Sequence, residues 1–349
     1  MEEIATIAYP DGDSRILMVA RKELLPSDAR LTVFDGNTAP LFPDRDLECS
    51  LSLPPGETAK NWTSVERIIN RALAVDLERD GLIVGVGGGV VTDVTAFAAS
   101  IYMRGCRLVL VPTTLLSMVD AATGGKTGFD FGGVKNLLGT FYPAHEVRIC
   151  PEILETLPER EFQSGMAEVI KHALLLPEEN NPLLVQIRDE CEQIRARDPE
   201  ALMKMIPAAV KVKADVVEAD LRERGERAFL NLGHTFAHAL EAATNFSRWS
   251  HGEAVAWGIL RALDLGERIG ITDPQWANQT RQLIASYGFD IVTPQVAPEE
   301  IKAAMSSDKK KKDGHIRFVM LKGPGQPVLQ SVPESDLDAV LGIEKNLES

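Results

Sequence analysis

The sequence predicts two parts in series: a doubly wound α/β domain over residues 1–150 and a mostly α-helical domain over residues 151–349. Three observations carry this. Before residue 150, short apolar runs alternate with helical patterns, the mark of a parallel sheet wound with helices. A triple-glycine turn directly follows one of those runs. After Pro151 the pattern is mostly helical. The length of 349 residues suits about two ordinary domains.

Residues 15–20 (RILMVA), 31–34 (LTVF), 82–86 (LIVGV) and 108–111 (LVLV) read as buried strands of a parallel sheet. Between two of them, residues 58–77 set Trp62, Val65, Ile69 and Leu73 on one helical face. Further on, residues 159–175, 182–194, 199–220, 234–243, 252–269 and 273–287 carry helical patterns. Residues 315–322 and 327–332 read as a late strand pair.

Composition excludes several classes. There are 37 Lys+Arg against 51 Asp+Glu, a net charge of −14. That argues against nucleic acid and against an anionic membrane surface as partners. A pocket can still concentrate a few cations for a phosphorylated ligand. The 44% hydrophobic content supplies a sizeable core without disulfides. No apolar run is long enough to span a bilayer, and Met1–Arg15 lacks the apolar core of a secretory signal. Cys49, Cys106, Cys150 and Cys191 are scattered and read as thiols of a reducing compartment, so the expected location is cytoplasmic.

Residues 85–93, GVGGGVVTD, join a strand to a helical pattern. Glycines there let the backbone approach a phosphate, and the helix N-terminus offers free N–H groups. The spacing lacks the last glycine of GxGxxG, so a phosphate loop and a tight turn with Asp93 at the helix start both stand. Asp35–Asn37, Pro55–Lys60 and Pro112–Thr114 close strands in the same way, as caps or as ligand loops. Residues 120–136 hold five glycines with Lys126 and Lys135 among them. They read as a loop, suited to an anionic substrate or only a solvated surface segment.

Of six histidines, His234 and His238 are four apart on one helix face, and His251 opens another helix. An acidic ligand from elsewhere would complete a metal site, although such pairs also arise by chance. His145, His172 and His315 read as structural. Glu168 and Lys171, three apart, form either a surface ion pair or part of a site. Lys309–Lys312 reads as a solvated face or mobile loop.

In this order, GVGGGVVTD, YMRG, VPTTLLSMVD, GGKTG, KNLLGTF, LETLPEREF, GMAEVIKH, RAFLNLGHTFAHALE and SHGEAVAWG resemble the dehydroquinate synthase family of sugar-phosphate cyclases. The resemblance runs from Asp35 to Lys322. It implies a Rossmann-like nucleotide-binding domain followed by a helical metal- and substrate-binding domain. It implies that Glu168, His234 and His251 bind one catalytic Zn2+, a set that would also accept Co2+. Contacts to NAD would come from Asp35, Asn37, Glu57, Lys60, Gly88, Gly89, Asp93, Thr113, Thr114, Lys135 and Thr156. A sugar acid phosphate would be held by Asp120, Lys126, Asn136, Lys171, Lys213, Arg227, Asn231 and His238. Within that set Lys171, Asn231, His238, Arg227, Lys126 and Asn136 would carry catalysis, with His238 and Asn231 relaying protons. Lys309 or Lys310 matches a phosphate-site lysine. Arg104, in YMRG, would reach the phosphate of a neighbouring subunit in a homodimer.

The implied reaction converts 3-deoxy-D-arabino-heptulosonate 7-phosphate to 3-dehydroquinate and phosphate, in the shikimate route to aromatic amino acids. It proceeds by transient NAD-dependent oxidation, phosphate elimination, re-reduction and intramolecular aldol closure. The sequence departs from the family pattern at Ala121-Ala122-Thr123, at Thr92 and at Ala237. Sister cyclases of the valiolone or amino-dehydroquinate type stay open, although Arg227, Asn231 and His238 match the dehydroquinate type. A glycerol-dehydrogenase-like oxidoreductase would instead release NADH stoichiometrically. A catalytically silent protein on this scaffold need not keep the proposed ligands.

Overall fold

Leu82–Gly87 (LIVGVG) is buried at every position, as a strand covered on both faces must be. The sheet is built around it. The computed structural model describes residues 1–178, 181–223, 225–244, 248–289, 295–309 and 316–343, with the backbone alone for 306–309. The chain opens with β1 (Glu2–Tyr9), β2 (Gly12–Met18), β3 (Ala29–Asp35), β4 (Ser50–Leu53), α1 (Trp62–Ala74), β5 (Leu82–Gly87), α2 (Gly89–Ile101) and β6 (Arg107–Pro112). Next come β7 (Lys126–Phe131), β8 (Val134–Phe141), β9 (Glu146–Ile149), α3 (Glu159–Leu174), α4 (Pro182–Asp189), α5 (Cys191–Arg195) and α6 (Pro199–Ala219). The last stretch holds α7 (His234–Ala243), α8 (His251–Arg268), α9 (Pro274–Ser286), α10 (Pro298–Lys309), β10 (Arg317–Leu321), β11 (Pro327–Ser331) and α11 (Glu334–Leu341).

Two compact units result, Met1–Pro158 with Pro199–Leu221, and Glu159–Asp198 with Arg222–Ser349. They differ from a division at residue 150 chiefly through α6, which packs along β1. No described helix is long and apolar enough to cross a membrane. All four cysteines are free thiols.

In the first unit, seven strands form one sheet in the order β1-β2-β9-β6-β5-β3-β4. All pairings are parallel except β1 with β2, at one edge. Leu17, Phe34, Val84, Val86, Val109, Val111 and Ile153 share one core on it. From β3 the chain steps outward to β4, then returns to the other flank of β3 for β5 and β6. The winding therefore reverses between β3 and β5, and the crevice at the carboxyl ends of such strands is where these sheets bind ligands.

Three details depart from the sequence reading. The α1 face expected from Trp62, Val65, Ile69 and Leu73 is rotated: Ser64, Val65, Ile68 and Ala72 are buried, while Trp62 and Leu73 are exposed. Arg67 and Arg71 donate to the carbonyls of Ser52, Leu47 and Glu48, which fixes that rotation. The glycine-rich loop expected at 120–136 is instead a helical turn, Ser117–Ala121, followed by most of the β7–β8 hairpin. Gly132 and Gly133, at φ of +60° and +79°, form the left-handed two-residue turn that matches the twist of antiparallel strands. The helix expected over 182–194 breaks at Glu190 into α4 and α5. Tyr287 Oη donates to Ile187 O at 2.6 Å, taking the carbonyl that a continuous helix would offer to Cys191.

In the second unit α8 packs against α3, α7, α9, α11 and β10. It is buried at most positions from Gly252 to Gly266. The late strand pair forms as β10 and β11. His315 and Lys310–Lys312 lie outside the described residues, so the readings made for them find no structure here.

α7 and α8 meet backbone to backbone. A Cβ placed on Gly258 would lie 2.1 Å from Gly233 O. Gly258→Ala must therefore push the two helices apart. The expected cost is about 3 kcal/mol, the upper part of the overpacking range. A melting midpoint for that variant equal to the unaltered chain's would contradict this packing.

Candidate active site

The close helix contacts of the second unit assemble the site. Gly252 N–H donates to Ser164 Oγ at 2.9 Å, and a Cβ on Gly252 would lie 2.2 Å from Ser164 O. α8 thus lies directly on α3. Ser164 is one turn before Glu168, and Gly252 follows His251, so the contact brings these two side chains together. Ser250 caps α8 in a reciprocal box with Glu253, and Arg160 holds Glu253 at 2.8 Å. His234 opens α7 behind Gly233, whose φ is +78°.

The result is a cluster of three. His234 Nε2 lies 3.7 Å and His251 Nε2 3.5 Å from Glu168 Oε1. Their potential ligand atoms all lie within 4.8 Å of one another. Each imidazole is held from behind. His234 Nδ1 is 3.2 Å from Leu232 O, and His251 Nδ1 is 3.4 Å from Glu241 Oε1. That leaves both Nε2 atoms turned toward Glu168, as metal-ligating histidines are oriented. One carboxylate and two imidazoles fit Zn2+ with positions left open, and fit Co2+ as well.

Burial and the Lys171 ammonium hold His234 well below the ordinary imidazole range, against the pull of Glu168. Burial acts likewise on His251, but the carboxylates of Glu168 and Glu241 outweigh it and push the ring up to about 9. Lys171 pairs with Glu168 three residues away, and both side chains are buried, so a surface ion pair is excluded. His238 lies one turn after His234, their rings edge to face at 5.3 Å. Arg227 is buried in the turn Glu226–Asn231, and Asn231 Nδ2 donates to Glu223 Oε1 at 2.7 Å.

The first unit gathers a second set around the reversal of winding. Asp35 ends β3, and its Oδ1 accepts from the N–H groups of Asn37 and Thr38 at 3.0 and 2.8 Å. Thr38 Oγ1 donates to Val86 O at 3.1 Å, tying this loop to β5. Gly88 and Gly89 open α2 directly after β5. Lys60 Nζ meets Asp93 Oδ2 at 2.6 Å, with side chains 9% and 19% exposed. Burial lifts the Asp93 carboxyl above its usual range, against Lys60. Burial also opposes the Lys60 charge, but Asp93 holds it up. Lys135 on β8 pairs with Glu57 at 3.2 Å. Thr113 and Thr114 follow β6, where Thr113 N–H donates to Gly87 O at 3.0 Å. Thr156 ends the turn after β9.

Also in the first unit, Lys213 on α6 donates to Asp120 O and Oδ1, both at 2.6 Å. Lys126 begins β7 and is exposed, and Asn136 on β8 has a φ of +51°. Asn136 N–H donates to Asp130 Oδ1 at 2.8 Å. Arg104 is exposed on a left-handed turn after α2. Lys309 ends α10, and Lys310 lies outside the described residues. Sequence reasoning passed over Glu241. Its signal was its place on α7, seven residues after His234 and so on the same face.

The fold places the chain among sugar-phosphate cyclases. It superposes on 2-epi-5-epi-valiolone synthase from Streptomyces hygroscopicus, solved with NAD+ and Zn2+, with a TM-score of 0.85 at 26% identity over 93% of this chain and 95% of that one. A 2-deoxy-scyllo-inosose synthase in complex with carbaglucose-6-phosphate, NAD+ and Co2+ gives 0.84 at 25% identity, over 97% and 98%. Sequence narrows the class. Residues 50–164 match the family pattern of the 3-dehydroquinate synthase N-terminal region, and residues 165–311 that of its C-terminal region. The 3-dehydroquinate synthase of Acidithiobacillus ferrooxidans is 40% identical over 306 residues, 85% of this chain and 83% of that protein. The chain belongs to the 3-dehydroquinate synthase family.

Lys60→Ala leaves the partly buried Asp93 carboxylate without its ammonium partner. The expected loss is about 3 kcal/mol of stability, as for other broken buried pairs. Urea unfolding of the variant checks this, and an unshifted midpoint would count against the pair's structural weight.

Proposed function

We propose that the chain converts 3-deoxy-D-arabino-heptulosonate 7-phosphate to 3-dehydroquinate and phosphate. One observation carries the reading: Glu168, His234 and His251 converge in a chain whose sequence matches this family across both regions. When bound, NAD supplies a reversible hydride acceptor and Zn2+ or Co2+ a Lewis acid for the substrate hydroxyls.

The chain's own residues do the rest. Glu168, His234 and His251 hold the metal. The strand ends from Asp35 to Thr114, with Gly88 and Gly89, hold the dinucleotide, and Lys60–Asp93 and Glu57–Lys135 contribute as two ion pairs. Lys126 and Arg227 balance substrate charge, including that of the leaving phosphate. Asn136, Asp120 and Lys213 orient substrate hydroxyls. Lys171, fixed against Glu168, orients the oxygen to be oxidised. His238 and Asn231 pass protons near the reacting oxygens. Thr156 borders the dinucleotide, and Lys309 or Lys310 adds a phosphate contact.

The active form is a homodimer. The β7–β8 hairpin exposes Phe131, Val134, Leu137, Leu138 and Phe141, an apolar ribbon suited to a second copy. Arg104 then reaches the neighbouring subunit's phosphate. The free thiols suit the cytoplasm. A second reading, a sister cyclase, has the structural likeness to two such enzymes behind it.

Purified protein with NAD and Zn2+ is expected to release phosphate from the seven-carbon acid phosphate, giving dehydroquinate by mass and no net NADH. Turnover only on sedoheptulose 7-phosphate or an amino analogue would transfer it to a sister reaction. Net NADH from a simple polyol would make it a dehydrogenase. Glu168→Ala and His234→Ala are each expected to lose bound metal and turnover while keeping the circular dichroism of the fold. Full activity with metal retained would refute that ligand set. Lys126→Ala is expected to lower kcat/KM about 10- to 100-fold, the weight of one charge-assisted hydrogen bond. Calorimetry should find its NAD affinity nearly unchanged; a large loss there would reassign Lys126 to the dinucleotide.

A further inference from the structure

We propose that Glu241 is a positioning residue for the metal, holding His251 so that Nε2 faces Glu168 and setting how tightly the cluster keeps a divalent cation. The proposal rests on the metal reading above. Glu241 is 4% exposed, deep on α7. Its Oε1 lies 3.4 Å from His251 Nδ1, while His251 Nε2 lies 3.5 Å from Glu168 Oε1. The ring is spanned between two carboxylates, one at each nitrogen.

Only one of the two belongs to the ligand group. Glu168 lies with His234 and His251, and Glu241 lies behind the ring. A carboxylate is expensive to bury unless it serves a partner. The two histidines are also held differently, since His234 Nδ1 faces the neutral carbonyl of Leu232 at 3.2 Å. A carboxylate behind an imidazole fixes its orientation and raises its strength as a ligand. The Lys171 ammonium already offsets the charge of Glu168, so Glu241 supplies further negative charge behind His251 toward a bound dication. α7 thereby carries one ligand at its first residue and orients the other from its second turn.

The test uses the full chain, stripped of metal, with Glu241→Gln and Glu241→Ala, and Glu168→Ala as the ligand control. Zn2+ affinity is read by competition with a chromophoric chelator, and the Co2+ form by its visible absorption. The expected losses of affinity are about 10-fold for Gln and about 100-fold for Ala, the range for such outer partners. The Co2+ spectrum should shift in both, with NAD affinity unchanged. Gln keeps an acceptor and nearly the same volume, so it separates charge from packing. If Glu241→Ala fails to fold, the Gln variant decides. Zn2+ affinity within twofold of the unaltered chain in every folded variant overturns the proposal. An unaltered chain that takes up no Zn2+ at this cluster overturns the metal reading itself, and the role of Glu241 with it.

Discussion

Everything at the metal cluster depends on how closely three helices approach. Helix axes in proteins usually keep about 8–10 Å apart because side chains intervene. Here Gly252 touches the backbone of Ser164, and Gly258 touches that of Gly233. Without those contacts Glu168 and the two imidazoles, which start from three separate helices, could not place their polar atoms within 4.8 Å of one another. Both histidines are the first residues of their helices, and their Nε2 atoms lie 3.7 and 3.5 Å from Glu168 Oε1. Packing, capping and electrostatics therefore all act on the same few atoms.

The first unit solves a different problem, how to present open backbone and fixed charge at one edge. Reversal of winding between β3 and β5 leaves their carboxyl ends uncrossed by connections. The hairpin is then tied to that edge. Asp130 N–H donates to Lys60 O at 2.8 Å, and Lys135 pairs with Glu57 at 3.2 Å. Lys60, Asp130 and Asn136 are linked in turn, because the Asp130 carboxylate caps Asn136 N–H at 2.8 Å. The left-handed conformation of Asn136 is held by that bond, so Asn136 inherits its place from the loop that carries Lys60.

What the sequence disclosed follows from what repeats locally. β3, β5 and β6 were legible because their apolar runs are buried on both faces, and β2 through its buried end Ile16–Met18. β1 escaped because only Ile7 of its eight residues is buried, and β9 because it is only four residues long. The glycines of 120–136 suggested a loop, since composition does not distinguish a left-handed hairpin turn from a flexible segment. Glu168 and Lys171 were ambiguous for a similar reason. Spacing of three residues is the same on a wet surface and in a core, and only burial separates them. Spacing offered His234, His238 and His251 as possible ligands, whereas the proposed set with Glu168 came from the order of motifs, because its members sit on elements distant in the chain. Glu241 offered nothing but a helical register.

An acidic chain that takes an anionic substrate cannot rely on its overall field, which at −14 repels. Attraction must be local, from cations held where screening is weak. Each buried lysine among the candidate residues sits against a carboxylate of its own unit: Lys60 on Asp93 and Lys213 on Asp120 in the first, Lys171 on Glu168 in the second. An isolated buried charge would be prohibitive, so the pairing is what permits burial. It also fixes each ammonium before substrate arrives, removing the ordering of long side chains from the binding step. The many carboxylates that make the chain acidic are thus partly the scaffold that holds its few buried ammonium groups in place.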